Sequence, residues 1–148
     1  MHAAVRLGRY LLRTGETVKK KPEGPMLVIW CDCGLSLNAR VHWGKRAKVN
    51  KAIRDCVGWQ AAMEPSMKID TKHPEKRRIV VTRFFGGKSR EMDMDNAVGC
   101  AKPAIDALKL NKGAGVIVDD NPEWVNVEYR QEKTAIPSWQ GRIRMEIW

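Results

Sequence analysis

Eight residues in the middle of the chain, Arg78-Ile79-Val80-Val81-Thr82-Arg83-Phe84-Phe85, form an unbroken run of strand-compatible types that Gly86-Gly87 closes. β-Branched and aromatic side chains suit a pleated surface and paired glycines end it, so the run predicts a β-strand and commits the chain to a sheet. A second apolar run, Met26 to Trp30, ends at Asp32 and Gly34 and reads as the first strand of the folded domain. Between the two, residues from about Trp43 to Met63 repeat apolar positions at helical spacing. Val49, Ile53, Val57 and Ala61 fall on one face, with Lys45, Arg46, Lys48, Lys51 and Arg54 around the rest. Two late strands are expected, Val125 to Arg130 and Arg142 to Trp148; in the latter Ile143, Met145 and Ile147 alternate with Arg142, Arg144 and Glu146.

The 148 residues are one domain's worth of chain, enough for an ordinary core without cross-links. A composition of 43% hydrophobic and 30% charged residues excludes a disordered or membrane-embedded class. Lys and Arg number 27 against 17 Asp and Glu, a formal net charge of +10, which points to a polyanionic partner: nucleic acid first, an anionic membrane surface second. Residues 1 to 25 read as a basic N-terminal appendage that ends in a linker, Lys19-Lys20-Lys21-Pro22-Glu23-Gly24-Pro25, with the folded domain over residues 26 to 148. Cys31, Cys33, Cys56 and Cys100 are spaced too irregularly for a zinc finger or ribbon and are expected to be reduced, partly buried thiols. No run approaches the roughly 18 apolar residues of a membrane span, and Arg6, Arg9 and Arg13 interrupt the opening segment, so a cytoplasmic protein with no membrane partner is expected.

Against this basic background stands Asp93-Met94-Asp95-Asn96, answered by Asp119-Asp120. Hard divalent cations such as Mg²⁺ take oxygen ligands, and carboxylates gathered within a basic surface are a candidate site for one. A helix from Asp95 to about Leu110 is expected, kinked or restarted near Lys102 by Pro103 and stopped by Asn111 and Gly113. From Asn96 to Leu110 it advances roughly 22 Å, and the eight residues Asn111 to Val118, if extended, return up to about 26 Å, which predicts that Asp120 sits beside Asp93 and Asp95. Lys102 and Asp106 lie seven and eleven positions after Asp95, within about 20° of its azimuth, so the three share a stripe and Asp106 is an i, i+4 partner for the lysine. A calcium EF-hand is excluded because Ala97 and Val98 stand where a ligand and a glycine are required. The simplest alternative is that Asp93 and Asp95 only cap the following helix.

Taken together, Asp93-Met94-Asp95-Asn96, Lys102, Asp106-Ala107-Leu108 and Asp119-Asp120, with Lys88 and Arg90 leading in, resemble the hallmark of the RusA family of Holliday junction resolvases. Leu35-Ser36-Leu37-Asn38, then Arg40, His42-Trp43 and a basic helix, resemble the amino-terminal side of its phage-type members. The resemblance covers about residues 26 to 148; Asn96 and Lys102 are three residues further apart than in the shortest members. It implies an α+β fold, a small mixed β-sheet flanked by helices, in a homodimer that cuts branched DNA such as four-way junctions with Mg²⁺ or Mn²⁺, in the cytoplasm of a bacterial or phage-infected cell. It also implies Asp93, Asp95 and Asp120 as metal-binding carboxylates and Lys102 as the catalytic lysine, with Asn96, Asp106, Asp119 and Asn38 in support.

DNA phosphates are expected at Lys88, Arg90, Arg40, Lys45, Arg46 and Lys48, although the last three equally describe a solvated helix face. Asn38 either lines the site or shapes a turn, and His42 is expected to be structural. Trp30, Trp59 and Trp148 are assigned to the core or a dimer interface, and Trp43 and Trp124, which flank the proposed site elements, are the two to test for DNA contact. A non-catalytic protein that binds branched nucleic acid through a degenerate metal site is the competing function.

Overall fold

A computed structural model describes residues 23–148, together with the backbone of two short antiparallel strands before them, β1 (Tyr10–Leu11) and β2 (Thr17–Val18). The expected appendage over residues 1 to 25 lies for the most part outside the described residues. The domain contains β3 (Leu27–Asp32), α1 (Trp43–Ala62), β4 (Arg77–Phe85), α2 (Met94–Asp106), β5 (Val125–Lys133) and β6 (Arg142–Ile147), with 3₁₀ turns at Pro65–Met67 and Pro137–Trp139. It is a mixed α+β fold: one four-stranded sheet, in the order β3-β6-β4-β5, and two helices. β6 pairs antiparallel with both neighbours, and β4 and β5 run parallel.

Alternation decides which face is which. Leu27, Ile29 and Cys31 of β3, Ile143, Met145 and Ile147 of β6 and Ile79 and Val81 of β4 share one face by register, and all are buried. Against them pack Ile53, Val57 and Ala61 of α1 and Ala101, Ala104 and Ile105 of α2 in one core. On the opposite face Trp30, Phe84 and Trp139 stack with ring centroids 5.0 to 5.5 Å apart, and Arg144 lies over Trp30 and Phe84. Trp59, assigned above to core or dimer interface, projects from α1 and is 76% exposed, because it lies off the Ile53-Val57-Ala61 stripe. The four cysteines are free, Cys31 and Cys100 buried, Cys33 and Cys56 half-buried. No helix among the described residues is long and apolar enough to cross a membrane.

The helix bearing the acidic motif ends at Asp106 rather than near Leu110, and Pro103 stands inside it without interrupting it. The last turn tightens, with Leu108 N–H donating to the Ile105 carbonyl (3.0 Å). The returning chain then takes the carbonyls of the cap residue and the two residues after it: Ala114 N–H donates to Ala107 (2.7 Å), Gly115 N–H to Lys109 (3.0 Å), and Val116 and Ile117 N–H both to Leu108 (2.8 and 3.0 Å). Gly113 is needed in this reversal, since a Cβ there would stand 2.5 Å from the Lys109 carbonyl oxygen. Residues 111–118 therefore do not form an extended return stroke; only a single bridge joins Lys109 and Ile117.

β3 is an edge strand, and Trp30 points its backbone groups away from β6. The Gln60 side chain on α1 supplies both missing partners: its Oε1 accepts from Trp30 N–H (3.0 Å) and its Nε2 donates to the Trp30 carbonyl (2.6 Å). Gln60→Ala should lower stability by about 1–3 kcal/mol, the cost of leaving part-buried backbone groups unpaired, read as a lower urea midpoint at unchanged slope.

Candidate functional site

α1 and α2 face each other across an open cavity of about 590 Å³. One wall is Arg46, Asn50 and Arg54, spaced i, i+4, i+8 along α1 and so presented by a single helical face. The other is the stripe Asp95, Lys102 and Asp106 on α2, interrupted by the apolar surface of Val98, Gly99 and Pro103. Leu35 and Leu37, on the connection between β3 and α1, complete the lining.

Two contacts aim α2 into this position. Gln131 of β5 pairs with the backbone of Met92 as a neighbouring strand would, accepting from its N–H (3.1 Å) and donating to its carbonyl (2.7 Å). Arg83, nearly buried at the end of β4, donates to Gln131 Oε1 (3.0 Å) and to the Arg90 carbonyl (3.4 Å). The chain before the helix is thereby clamped to the sheet. Asp93 is the N-cap residue but makes no capping hydrogen bond through its side chain, and Asp95 lies exposed in the first turn. Capping alone therefore does not account for the pair.

At the other end of the stripe, five charged groups meet. Lys102 pairs with Asp106 (3.1 Å), its i, i+4 partner, and in close contact with Asp120 Oδ2. Lys109 reaches Asp106 (3.1 Å), Asp119 (3.4 Å) and Asp120 (2.8 Å). The lysine hydrogen bonds, that of Lys102 first, hold the Asp120 carboxyl well below the usual carboxylate range. The reciprocal effect raises Lys109, chiefly through Asp120. Burial pulls Lys102 down, but its hydrogen bonds to Asp120 and Asp106 outweigh that and raise it. Tyr129 on β5, its phenol raised by burial, lies within the field of Lys102, Asp120 and Asp106.

Asp120 thus meets the Asp106 end of the stripe, whereas the sequence had placed it beside Asp93 and Asp95. The cause is the tight reversal after α2. Ile117 is already bridged to Lys109, and the three residues from there to Asp120 cover at most about 10 Å. Lys102 is itself roughly 10 Å of helical rise from Asp95, seven residues at about 1.5 Å each. Among the described residues no three His, Cys, Asp or Glu side chains are gathered closely enough to hold one ion.

The basic residues divide. Lys45, Lys48, Arg40, Lys88 and Arg90 project into solvent. Arg46 is turned onto the loop before α1, donating to the carbonyls of Ser36 (3.3 Å) and Ala39 (2.9 Å). Asn38 lies exposed in the turn that Arg46 braces, and Asn96 is half-buried in the first turn of α2. Asp119 accepts from the backbone N–H of Asp120 (2.9 Å) and from the Asn121 amide (3.2 Å). His42 caps α1, its Nδ1 accepting from Gly44 N–H (3.1 Å). Trp43 is exposed at the start of α1, and Trp124 is half-buried just before β5. Lys109, Tyr129, Gln131, Asn50 and the Arg83 clamp were not singled out in the sequence. Lys109 alone carried a signal there, lying seven positions after Lys102 and three after Asp106.

Oxygen-only donors, Asp95 and Asp120 foremost, are the chemistry that Mg²⁺ and Mn²⁺ accept, and Mg²⁺ is commonly held by one or two carboxylates with waters and substrate phosphate completing its shell. Asp120 already faces cations, in the form of two ammonium groups. In comparisons with known proteins, the chain matches no family model and no curated protein sequence.

A carboxylate whose pKa is depressed on folding stabilises the fold above its unfolded value and loses that contribution as pH falls through the folded one. The melting-temperature advantage of wild type over Asp120→Asn should therefore be complete at pH 7 and shrink as pH drops below about 4. A scan of both proteins from pH 7 to 3 measures it.

Proposed function

We propose that the protein is a Mg²⁺-dependent, structure-specific endonuclease that hydrolyses phosphodiester bonds in branched DNA as a RusA-like homodimer. The observation that carries this reading is the stripe of Asp95, Lys102 and Asp106, joined by Asp120 and set across a cleft from Arg54 and Asn50 of the basic helix. Acidic and basic walls on one cleft suit a substrate that is itself anionic and acquires further charge as it reacts.

Asp93 and Asp95, at the start of α2, are the carboxylates proposed to hold Mg²⁺ or Mn²⁺, and Asp120, at the other end of the stripe, would join them only on leaving its two lysines, which Asp106 and Asp119 orient. When bound, such an ion supplies a more acidic water and charge neutralisation at the phosphate. Lys102 is proposed to turn its ammonium from Asp120 toward a non-bridging or leaving phosphate oxygen, while Asp106 keeps it on the stripe. Exposed Lys88, Arg90, Arg40, Lys45 and Lys48 would track the DNA arms, and Arg46 would act indirectly through the loop that it braces. A two-fold dimer would present two such clefts to opposite strands of a junction, matching the symmetry of the substrate.

The competing reading, a non-catalytic protein of branched nucleic acid with a degenerate metal site, draws on the same cluster, since both Asp120 oxygens are already occupied by lysines. Incubation with end-labelled four-way junction, fork and linear duplex, with and without Mg²⁺, separates the two. Wild type should cut a branched substrate only with metal, and Asp95→Asn and Asp120→Asn should each lose on the order of 100-fold in rate while still shifting the junction in a gel. Equal cleavage by Asp95→Asn would sink the catalytic assignment. Tight binding with no cleavage by the wild type would establish the non-catalytic one.

A further inference from the structure

Leu37 is 63% exposed, yet it is not a loose surface residue. The turn that carries it is fixed from three sides. Arg46 donates to the carbonyls on either side of it, Ser36 and Ala39, and Gly34 N–H donates to the Cys100 carbonyl on α2 (3.2 Å). Leu37 itself lies directly against α2 at Gly99, where a Cβ would stand 2.6 Å from its Cγ. An isolated exposed leucine calls for no explanation; one held rigidly at the rim of a polar cleft presents apolar surface to whatever occupies the cleft.

The cleft lining is divided in the same sense. Leu35, Leu37, Val98 and Pro103 give it an apolar part, Arg54 and Asn50 give it a polar wall on α1, and Asp95, Lys102 and Asp106 form the charged stripe opposite. Among the described residues the side chains of Arg54 and Asn50 make no ion pair or hydrogen bond, so their donors stand free for a ligand. A volume of about 590 Å³ lies within the range of roughly 300–1,000 Å³ typical of pockets for small ligands. A stacked duplex offers such a cleft sugar, phosphate and the edges of its bases but no base face. An unpaired nucleotide offers both a base, whose faces bind apolar and aromatic side chains, and a phosphate.

We propose that the cleft between α1 and α2 takes one unstacked nucleotide from the branch point of the bound nucleic acid, its base against Leu35, Leu37 and Val98 and its phosphate at Arg54. The inference rests on the branched-DNA reading and specifies how the branch is recognised: a branch point yields an unstacked nucleotide at less cost than continuous duplex, so selectivity for branches follows from the pocket. Leu37 is the residue that keeps the extruded base out of the stack.

The test places 2-aminopurine, which brightens when unstacked, singly at each nucleotide flanking the branch of a four-way junction, with full-length protein added to saturation in Ca²⁺. Wild type should raise emission severalfold at one or more of these positions and at none within a linear duplex. Leu37→Ser and Arg54→Ala both alter exposed side chains, so folding, checked by circular dichroism, is not at risk. Leu37→Ser should bind the junction within about threefold of wild type while losing most of the emission rise. Arg54→Ala should weaken binding and reduce the salt slope by about one phosphate contact. Junction binding with no emission change at any flanking position, or an undiminished rise with Leu37→Ser, overturns the inference and leaves the nuclease reading standing. Failure of the wild type to bind junction at all overturns both.

Discussion

The reversal that follows α2 governs the geometry of everything near the acidic residues. Four amide groups of the returning chain are spent on carbonyls of Ala107, Leu108 and Lys109, so the backbone turns at once and has little length left when it reaches Asp119 and Asp120. Those carboxylates consequently settle against the last turns of α2. There they meet the two lysines that helical phase directs to the same side, and the result is a compact alternation of three carboxylates and two ammonium groups. Had the reversal been wider, Asp120 would have had the reach to approach the first turn of the helix.

The two walls of the cleft are set independently, each by the sheet. α1 is fixed by its Ile53-Val57-Ala61 face in the core and by Gln60 at the edge of β3. α2 is fixed by its alanine-rich face and by Gln131 and Arg83 at the chain leading into it. Small residues on α2 matter here: Ala97, Cys100, Ala101 and Ala104 are all buried, and Gly99 lets the loop before α1 lie directly against the helix. Both helices therefore approach closely while keeping their charged faces turned to the gap between them.

What could be read in advance was whatever repeats locally. The strands at Leu27–Asp32 and Arg77–Phe85 announce themselves as apolar, strand-compatible runs, the strand at Arg142–Ile147 by alternation and the helix at Trp43–Ala62 by helical spacing, and each lies within a residue or two of its expected bounds. The i, i+4 relation of Lys102 to Asp106 is likewise a local property and is present. Long-range matters were hidden. β5 continues to Lys133 rather than Arg130 because all nine of its residues pair with β4, a fact about the neighbouring strand and not about Gln131, Glu132 or Lys133 themselves. The early end of α2 depends on which carbonyls the returning chain captures. Tyr129 and Gln131 join the site region only because parallel pairing carries β5 alongside Val81 and Arg83. Trp59 looked like core on apolar character alone, but two residues after Val57 it falls on the face of its helix opposite the buried stripe and is exposed.

The glutamine that bonds to Trp30 has a further consequence for assembly. An open strand edge is a template on which another chain can add a strand, and proteins restrain it by covering or interrupting it. Gln60 covers the middle of β3 with a side chain that already imitates the neighbour a second molecule would have to supply. Continuous strand addition at this edge would require that amide to be displaced first. Copies of this chain that associate are thus directed away from extending the sheet through β3 and toward its helices or the outer edge of β5.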